Sequence, residues 1–119
     1  KAAVPGDGDG QGDAKVAGTD YNAVGELPCA FDGGEPKARC KAGVKRRWGE
    51  DGTTLVEVTM PGGQTRAIFF RGMDAYSASG AEADGSAGYA FKAERKGDET
   101  LIRFGPERYV VPDVFVSGD

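Results

Sequence analysis

The chain of 119 residues contains no histidine. That absence removes the Ser-His-Asp triad, the imidazole general base and the imidazole metal site in one stroke. Cysteine is nearly as scarce: Cys29 and Cys40 are the sole pair, and two thiolates supply half of the four ligands of an ordinary zinc site. No run approaches the roughly 18 to 20 apolar residues of a membrane-spanning helix. No stretch sustains helical apolar spacing for three turns. Net charge is −4 with a pI near 4.9, so a general electrostatic footprint for nucleic acid is missing as well. Ser77 and Ser79 have no partner base at an identifiable spacing, and no carboxylate pair, Glu94 with Glu107 included, stands out for glycoside chemistry. The expectation is a protein that is not an enzyme and uses no cofactor or metal.

Glycine is abundant, 20 residues in the chain, against an average near 7%, which predicts frequent turns. Residues 1–18, KAAVPGDGDGQGDAKVAG, hold too little apolar surface to offset an ordering entropy of roughly 1 to 2 kcal/mol per residue. They read as a flexible acidic tail or linker, followed by a single β domain over 19–119. Asp7, Asp9 and Asp13 resemble calcium ligands on a Gly-bent loop. An EF-hand starting at Asp7 would however need Glu where Gly18 stands, so a solvated linker is the reading adopted. The chain opens at Lys1 and not Met, from which a processed product with its signal peptide already removed is expected.

From Thr19 onward short apolar runs alternate with turn residues. TTLVEVTM (53–60) sets Thr54, Val56, Val58 and Met60 on one face and Leu55, Glu57 and Thr59 on the other, the period of a half-buried strand. Pro61-Gly62-Gly63 turns the chain into QTRAIFFR (64–71). Apolar residues on both faces of AIFF predict a central strand in the middle of the core. AGVKRRWG (42–49), an edge strand DAYSAS (74–79), GYAFKAERK (88–96), ETLIRF (99–104) and ERYVV (107–111) follow the same logic, with VFV at 114–116 behind Pro112-Asp113 and a loop over 80–88. About seven strands on short antiparallel connections predict an all-β fold, a small sandwich or a partly closed barrel.

Trp48, Phe69, Phe70, Phe91, Phe104 and Tyr109 lie at strand spacing and are expected to fill the core. Charge is uneven: residues 37–71 carry eight Lys or Arg against three acids, between flanks of −5 and −4. Within this basic island Lys45, Arg46 and Arg47 are candidate contacts for an acidic partner, against the plainer reading of a solvated surface. Continuation of the strand through 47 would put Lys45 and Arg47 on one face and Arg46 on the other.

Ten residues separate Cys29 from Cys40, with Gly33-Gly34 and Pro36 easing a reversal. A structural disulfide is the reading preferred over free thiols, a metal pair or a redox pair. It would close a twelve-residue loop worth about 3 kcal/mol in the chain-entropy model, ahead of the clearest strands, and it implies an oxidising compartment.

The frame YNAVGELPCA (21–30), Cys40 with AGV (42–44), TRAIFFRG (65–72), Ala-Asp-Gly (83–85) and GPERYVVPDVFV (105–116) resembles a family of small, uncharacterised bacterial secreted or periplasmic domains. The resemblance covers residues 20–117 and implies an exported, disulfide-bonded chain. Ser79-Gly80-Ala81, Tyr89, Phe91 and KGDETL (96–101) are similar to stretches of the bacterial C-type lysozyme inhibitors, periplasmic or lipid-anchored β-barrels. That resemblance implies that Ser79 and Gly80 in one loop and Lys96 in another enter a lysozyme cleft, Ser79 bonding a catalytic carboxylate and Lys96 pairing with a second. Ala83 stands where that motif has Tyr, and the cysteines are placed differently. The expected function is an exported binding module with a protein partner in the cell envelope, in its sharpest form an inhibitor of a cell-wall hydrolase. The alternative is a structural accessory subunit of an envelope or surface assembly. The disulfide predicts a mass unchanged by alkylation of the native protein and raised by two adducts once it is reduced and unfolded; adducts before reduction would refute it.

Overall fold

The computed structural model describes residues 15–49, 52–80 and 85–118. The calcium reading of Asp7, Asp9 and Asp13 falls outside the described residues. The fold is all-β, with eight strands: β1 Ala23–Ala30, β2 Ala38–Lys45, β3 Thr54–Thr59, β4 Thr65–Arg71, β5 Asp74–Ala78, β6 Phe91–Lys96, β7 Glu99–Phe104 and β8 Glu107–Pro112. The sheet order is β5-β4-β3-β2-β1-β8-β7-β6, every pair antiparallel. A five-strand meander and a three-strand meander are thus joined through β1 and β8. β5 and β6 come alongside each other without a backbone ladder. The result is an up-and-down barrel, nearly closed, with one unladdered seam.

The register assigns each turn to an end. The β1–β2, β3–β4 and β7–β8 turns lie at the first end, where β5 also ends and β6 begins; the β4–β5 and β6–β7 turns lie at the second, where β2 ends and β3 begins. A short helix, α1 (Asp113–Ser117), also sits at the second end, with Val116 buried and Phe115 packed against the core. An eight-stranded barrel leaves an interior just wide enough for side chains, and here they fill it. Leu27, Val44, Val56, Val58, Ile68, Phe70, Ile102, Tyr109 and Val111 are all within 1% of complete burial.

Several expectations change. The number of strands is eight because YNAVGELPCA contains β1, whose inward residues Ala23, Gly25, Leu27 and Cys29 are mostly too small to give a strong alternation. The cysteines accordingly lie within the sheet and not ahead of it: Leu27 pairs with Cys40 and Cys29 with Ala38, so the Cys29–Cys40 bond crosses diagonally between β1 and β2. Both are buried. β2 stops at Lys45, and Arg47 turns away in the left-handed region at φ 56°. β4 lies one strand from the seam and not at the middle of the sheet. VFV at 114–116 is helical, because Pro112 and Asp113 start a turn that tucks Val116 into the barrel mouth.

Two glycines are required by rings lying on them. A side chain at Gly43 on β2 would meet the Tyr21 ring at 2.5 Å, and one at Gly105, already at φ 59°, would meet Tyr89 at 2.5 Å. In both places an aromatic ring lies on bare backbone where a Cβ would collide with it.

A charged brace spans the interior near the first end. Arg66 on β4 binds Glu107 on β8 through two parallel bonds, Nε to Oε1 at 2.8 Å and Nη2 to Oε2 at 2.7 Å. Its Nη1 donates to the Ser79 carbonyl at 2.7 Å and to Ser86 Oγ at 3.3 Å, and its guanidinium stands 5.0 Å from the Phe104 ring centre. The Tyr109 hydroxyl donates to Glu107. Burial, then that bond, pushes the Tyr109 phenol far above its ordinary pKa. Side-chain exposures of 4% and 3% put Arg66 and Glu107 beyond solvent screening, where loss of one partner strands the other. Glu107→Leu is expected to destabilise the fold by about 3 to 5 kcal/mol in urea denaturation, and Arg66→Met combined with Glu107→Leu to recover most of the loss; equal loss in the single and double variants would contradict this account.

Candidate functional site

With the interior filled, the surfaces that remain available are outside. On β4, inward Arg66, Ile68 and Phe70 alternate with outward Ala67, Phe69 and Arg71. Phe69 therefore faces out, half-buried. The ladder between β4 and β5 is irregular at Phe69/Phe70: Ala75 pairs with Phe70 and Ser77 with Phe69, leaving Tyr76 as the extra residue of a bulge. Bulges re-aim side chains, and Tyr76 is brought over the outer face beside Phe69. Trp48 reaches the same place from the β2–β3 loop.

These three rings make a row. Trp48 and Phe69 have centres 5.9 Å apart at 39°, Phe69 and Tyr76 6.3 Å apart at 35°. The pairs Phe31–Tyr109 and Tyr89–Phe104, each with one buried and one half-buried ring, meet at 77°, edge to face. The outer rings are flatter to one another and more exposed, Trp48 at 53% and Tyr76 at 43%. Arg71 lies 4.6 Å from the Tyr76 ring centre, and Thr53 Oγ1 and the Tyr76 hydroxyl are 3.3 Å apart. Leu55, paired with Phe69 and directed outward, is nonetheless buried. Trp48 and Phe69, expected to be core residues, are thus surface residues; Phe70, Phe104 and Tyr109 are buried as expected. The apolar character on both faces of AIFF, read as deep burial, was the available signal for this row.

The residues singled out from sequence are scattered. Ser79 lies at the first end beside β4, its Oγ accepting the Ala67 N–H at 3.0 Å and its carbonyl held by Arg66. Gly80 follows where a Cβ would sit 2.9 Å from the Ser86 carbonyl oxygen. Lys96 closes β6 at the second end, opposite Glu99. Ser79 and Lys96 therefore belong to opposite ends of the barrel. Lys45 stands 5.6 Å from the Tyr21 ring centre. Arg46 is directed to α1, donating to the carbonyls of Val116 (3.1 Å) and Phe115 (2.9 Å), the helix end where a cation is favoured. Arg47 is exposed in the turn. Strand continuation would have split these three across faces; instead β2 ends at Lys45, Arg46 reaches α1 and Arg47 is exposed. Among the described residues no group of three or more His, Cys, Asp or Glu is arranged for a metal ion, and no helix is long and apolar enough to cross a membrane.

Comparison of the chain with protein-family models, with curated proteins and with solved structures gives no match.

Tyr21 ties the chain leading into β1 to this outer face. Its hydroxyl donates to Glu57 at 2.7 Å, and that bond, with burial and the Glu57 charge, pushes its pKa up to about 12. The neutral phenol is favoured by the folded state. Its contribution is complete below the unfolded value near 10 and is lost as pH rises through about 12. Resistance to urea is expected to fall over that interval, and Tyr21→Phe to flatten this part of the profile; an identical profile in the variant would refute the assignment.

Proposed function

We propose that this chain is a non-enzymatic binding module of an oxidising, extracytoplasmic compartment, whose protein partner docks on the Trp48–Phe69–Tyr76 row. The exposed row is the observation that carries the reading. Trp, Tyr and Arg are the residue types that dominate binding energy at protein interfaces, and here Tyr76 and Arg71 on the sheet stand beside Trp48 from the adjoining loop. Burying exposed apolar rings on a partner is favourable, and holding them in advance lowers the ordering cost of association. The buried disulfide supports export, as the resemblance of residues 20–117 to secreted or periplasmic domains implies.

Inhibition of a cell-wall hydrolase through Ser79 and Lys96 is the sharper form of the reading and has less behind it. One cleft would have to receive residues from both ends of the barrel, and Ser79 already fastens β4 to the 79–90 crossing. Inhibition of a C-type lysozyme by the native chain, abolished by both Ser79→Ala and Lys96→Ala, would establish it. The accessory-subunit reading shares the docking requirement and differs in permanence.

Photo-crosslinking groups placed at 48 and 76, and at Val24 as an exposed control on β1, test the main reading in intact envelopes. A single protein adduct from 48 and 76 that is missing from 24 is expected, and Phe69→Ala should weaken it. Equal labelling from all three positions, or none from 48 and 76, would overturn the proposal.

A further inference from the structure

A second outer surface lies on the other meander. Lys92 on β6 is directly opposite Arg103 on β7, and Arg103 is directly opposite Arg108 on β8. Neighbouring strands are about 4.8 Å apart, so three cations stand in one transverse row. All face outward, since Thr100, Ile102 and Phe104 are the buried residues of β7. Like charges placed opposite each other across strands are destabilising. The row therefore opposes the fold and is not explained by it.

Lys96 adds a fourth cation on the same face. Among the described residues no carboxylate lies within ion-pair distance of any of the four. Arg108 donates to the Gly105 carbonyl at 2.7 Å and the Glu107 carbonyl at 2.9 Å, which orient it without cancelling its charge. Glu94 and Glu99 share the face, Glu99 opposite Lys96, and leave the cations in excess. The β1–β2 turn overhangs this surface, held by the Gly33 N–H on the Pro106 carbonyl at 2.8 Å. Between the turn and the strands runs a groove of about 480 Å³, with Lys96, Arg103 and Arg108 along it and Leu101 on its floor. A smaller hollow, lined also by Glu94, carries it past Arg103 to Lys92. Glu35 also lines the groove, and its carboxylate is 3.7 Å from Lys37.

We infer that this groove binds an acidic polysaccharide, its carboxylates spaced along the cation row. Guanidinium forks match planar carboxylates, and a charged repeating polymer suits a polar groove with several cations in line. A protein partner would call for an apolar or aromatic anchor pocket, and Leu101 and Pro36 do not make one. Single-stranded nucleic acid would call for stacking rings, and no aromatic side chain lines the groove. The inference is independent of the aromatic row on β4 and β5.

Titration of the full chain with polygalacturonate at low salt, beside a neutral glucan of equal length, is the test. Binding of the polyuronate alone is expected, weakening as salt is raised. Arg103→Thr and Lys92→Thr should each reduce affinity about tenfold. Both should melt no lower than the native chain, because each relieves the like-charge row, and this separates lost binding from lost folding. Trp48→Ala should bind as the native chain does. Absence of polyuronate binding, unchanged affinity in Arg103→Thr, or loss of binding in Trp48→Ala would overturn the inference. So would tighter binding of oligodeoxythymidylate or polyphosphate.

Discussion

The interaction on which the barrel depends is the fork of Arg66 on Glu107. It runs through the interior from the five-strand meander to the three-strand meander, where backbone pairing between the two units is confined to β1 and β8. A bidentate pair with almost no exposure fixes distance and orientation together. The same guanidinium holds the Ser79 carbonyl and Ser86, so the crossing that follows β5 is set by a residue inside the barrel. Tyr109 completes the carboxylate's bonding and stands edge-on to Phe31 from the β1–β2 turn. Seam, crossing and first-end turns thus share one electrostatic anchor. Polar groups this deep contribute when all are satisfied and penalise the fold when one is not.

A filled interior moves recognition to the outside, and the outside is divided. The five-strand meander carries rings brought together by an outward Phe69, a bulge at Tyr76 and a loop bearing Trp48. The three-strand meander carries cations brought together by strand register. Neither surface uses a mobile lid or an internal cavity. Each combines outward residues of strands with a neighbouring connection, the loop bearing Trp48 in one case and the β1–β2 turn in the other.

The all-β fold, the β3–β4 hairpin and the edge position of DAYSAS were legible because period-2 alternation and Pro-Gly turns act locally. β1 was not legible, since Ala23, Gly25 and Cys29 carry too little bulk for alternation to register. Strand periodicity also cannot say which side of a strand is inside, and with AIFF it made an outer aromatic face look like deep core. The basic row was hidden for another reason. Lys92, Arg103 and Arg108 lie in the net-acidic last third of the chain and become neighbours through pairing alone, whereas Lys45, Arg46 and Arg47 are neighbours in sequence and are dispersed by the turn after β2. Cys29 and Cys40 were read correctly as a bond, and their place inside the sheet had to come from register.

The unladdered seam sets the order in which this barrel opens. Where β5 and β6 pass, Arg66 holds Ser79 and Ser86 at one end, while at the other Arg95 of β6 is paired with Asp113 of α1 and not with β5. Backbone amides on the facing edges of β5 and β6 lack partners across that line, so exchange with solvent begins there. Within the five-strand half, by contrast, a disulfide locks β1 to β2. A barrel opened along that line is still joined by the β1–β8 ladder and by the Arg66–Glu107 fork, so the two meanders part only when the fork also breaks. The aromatic row lies on the cross-linked meander and the cation row on the other, so that such a parting separates the two surfaces.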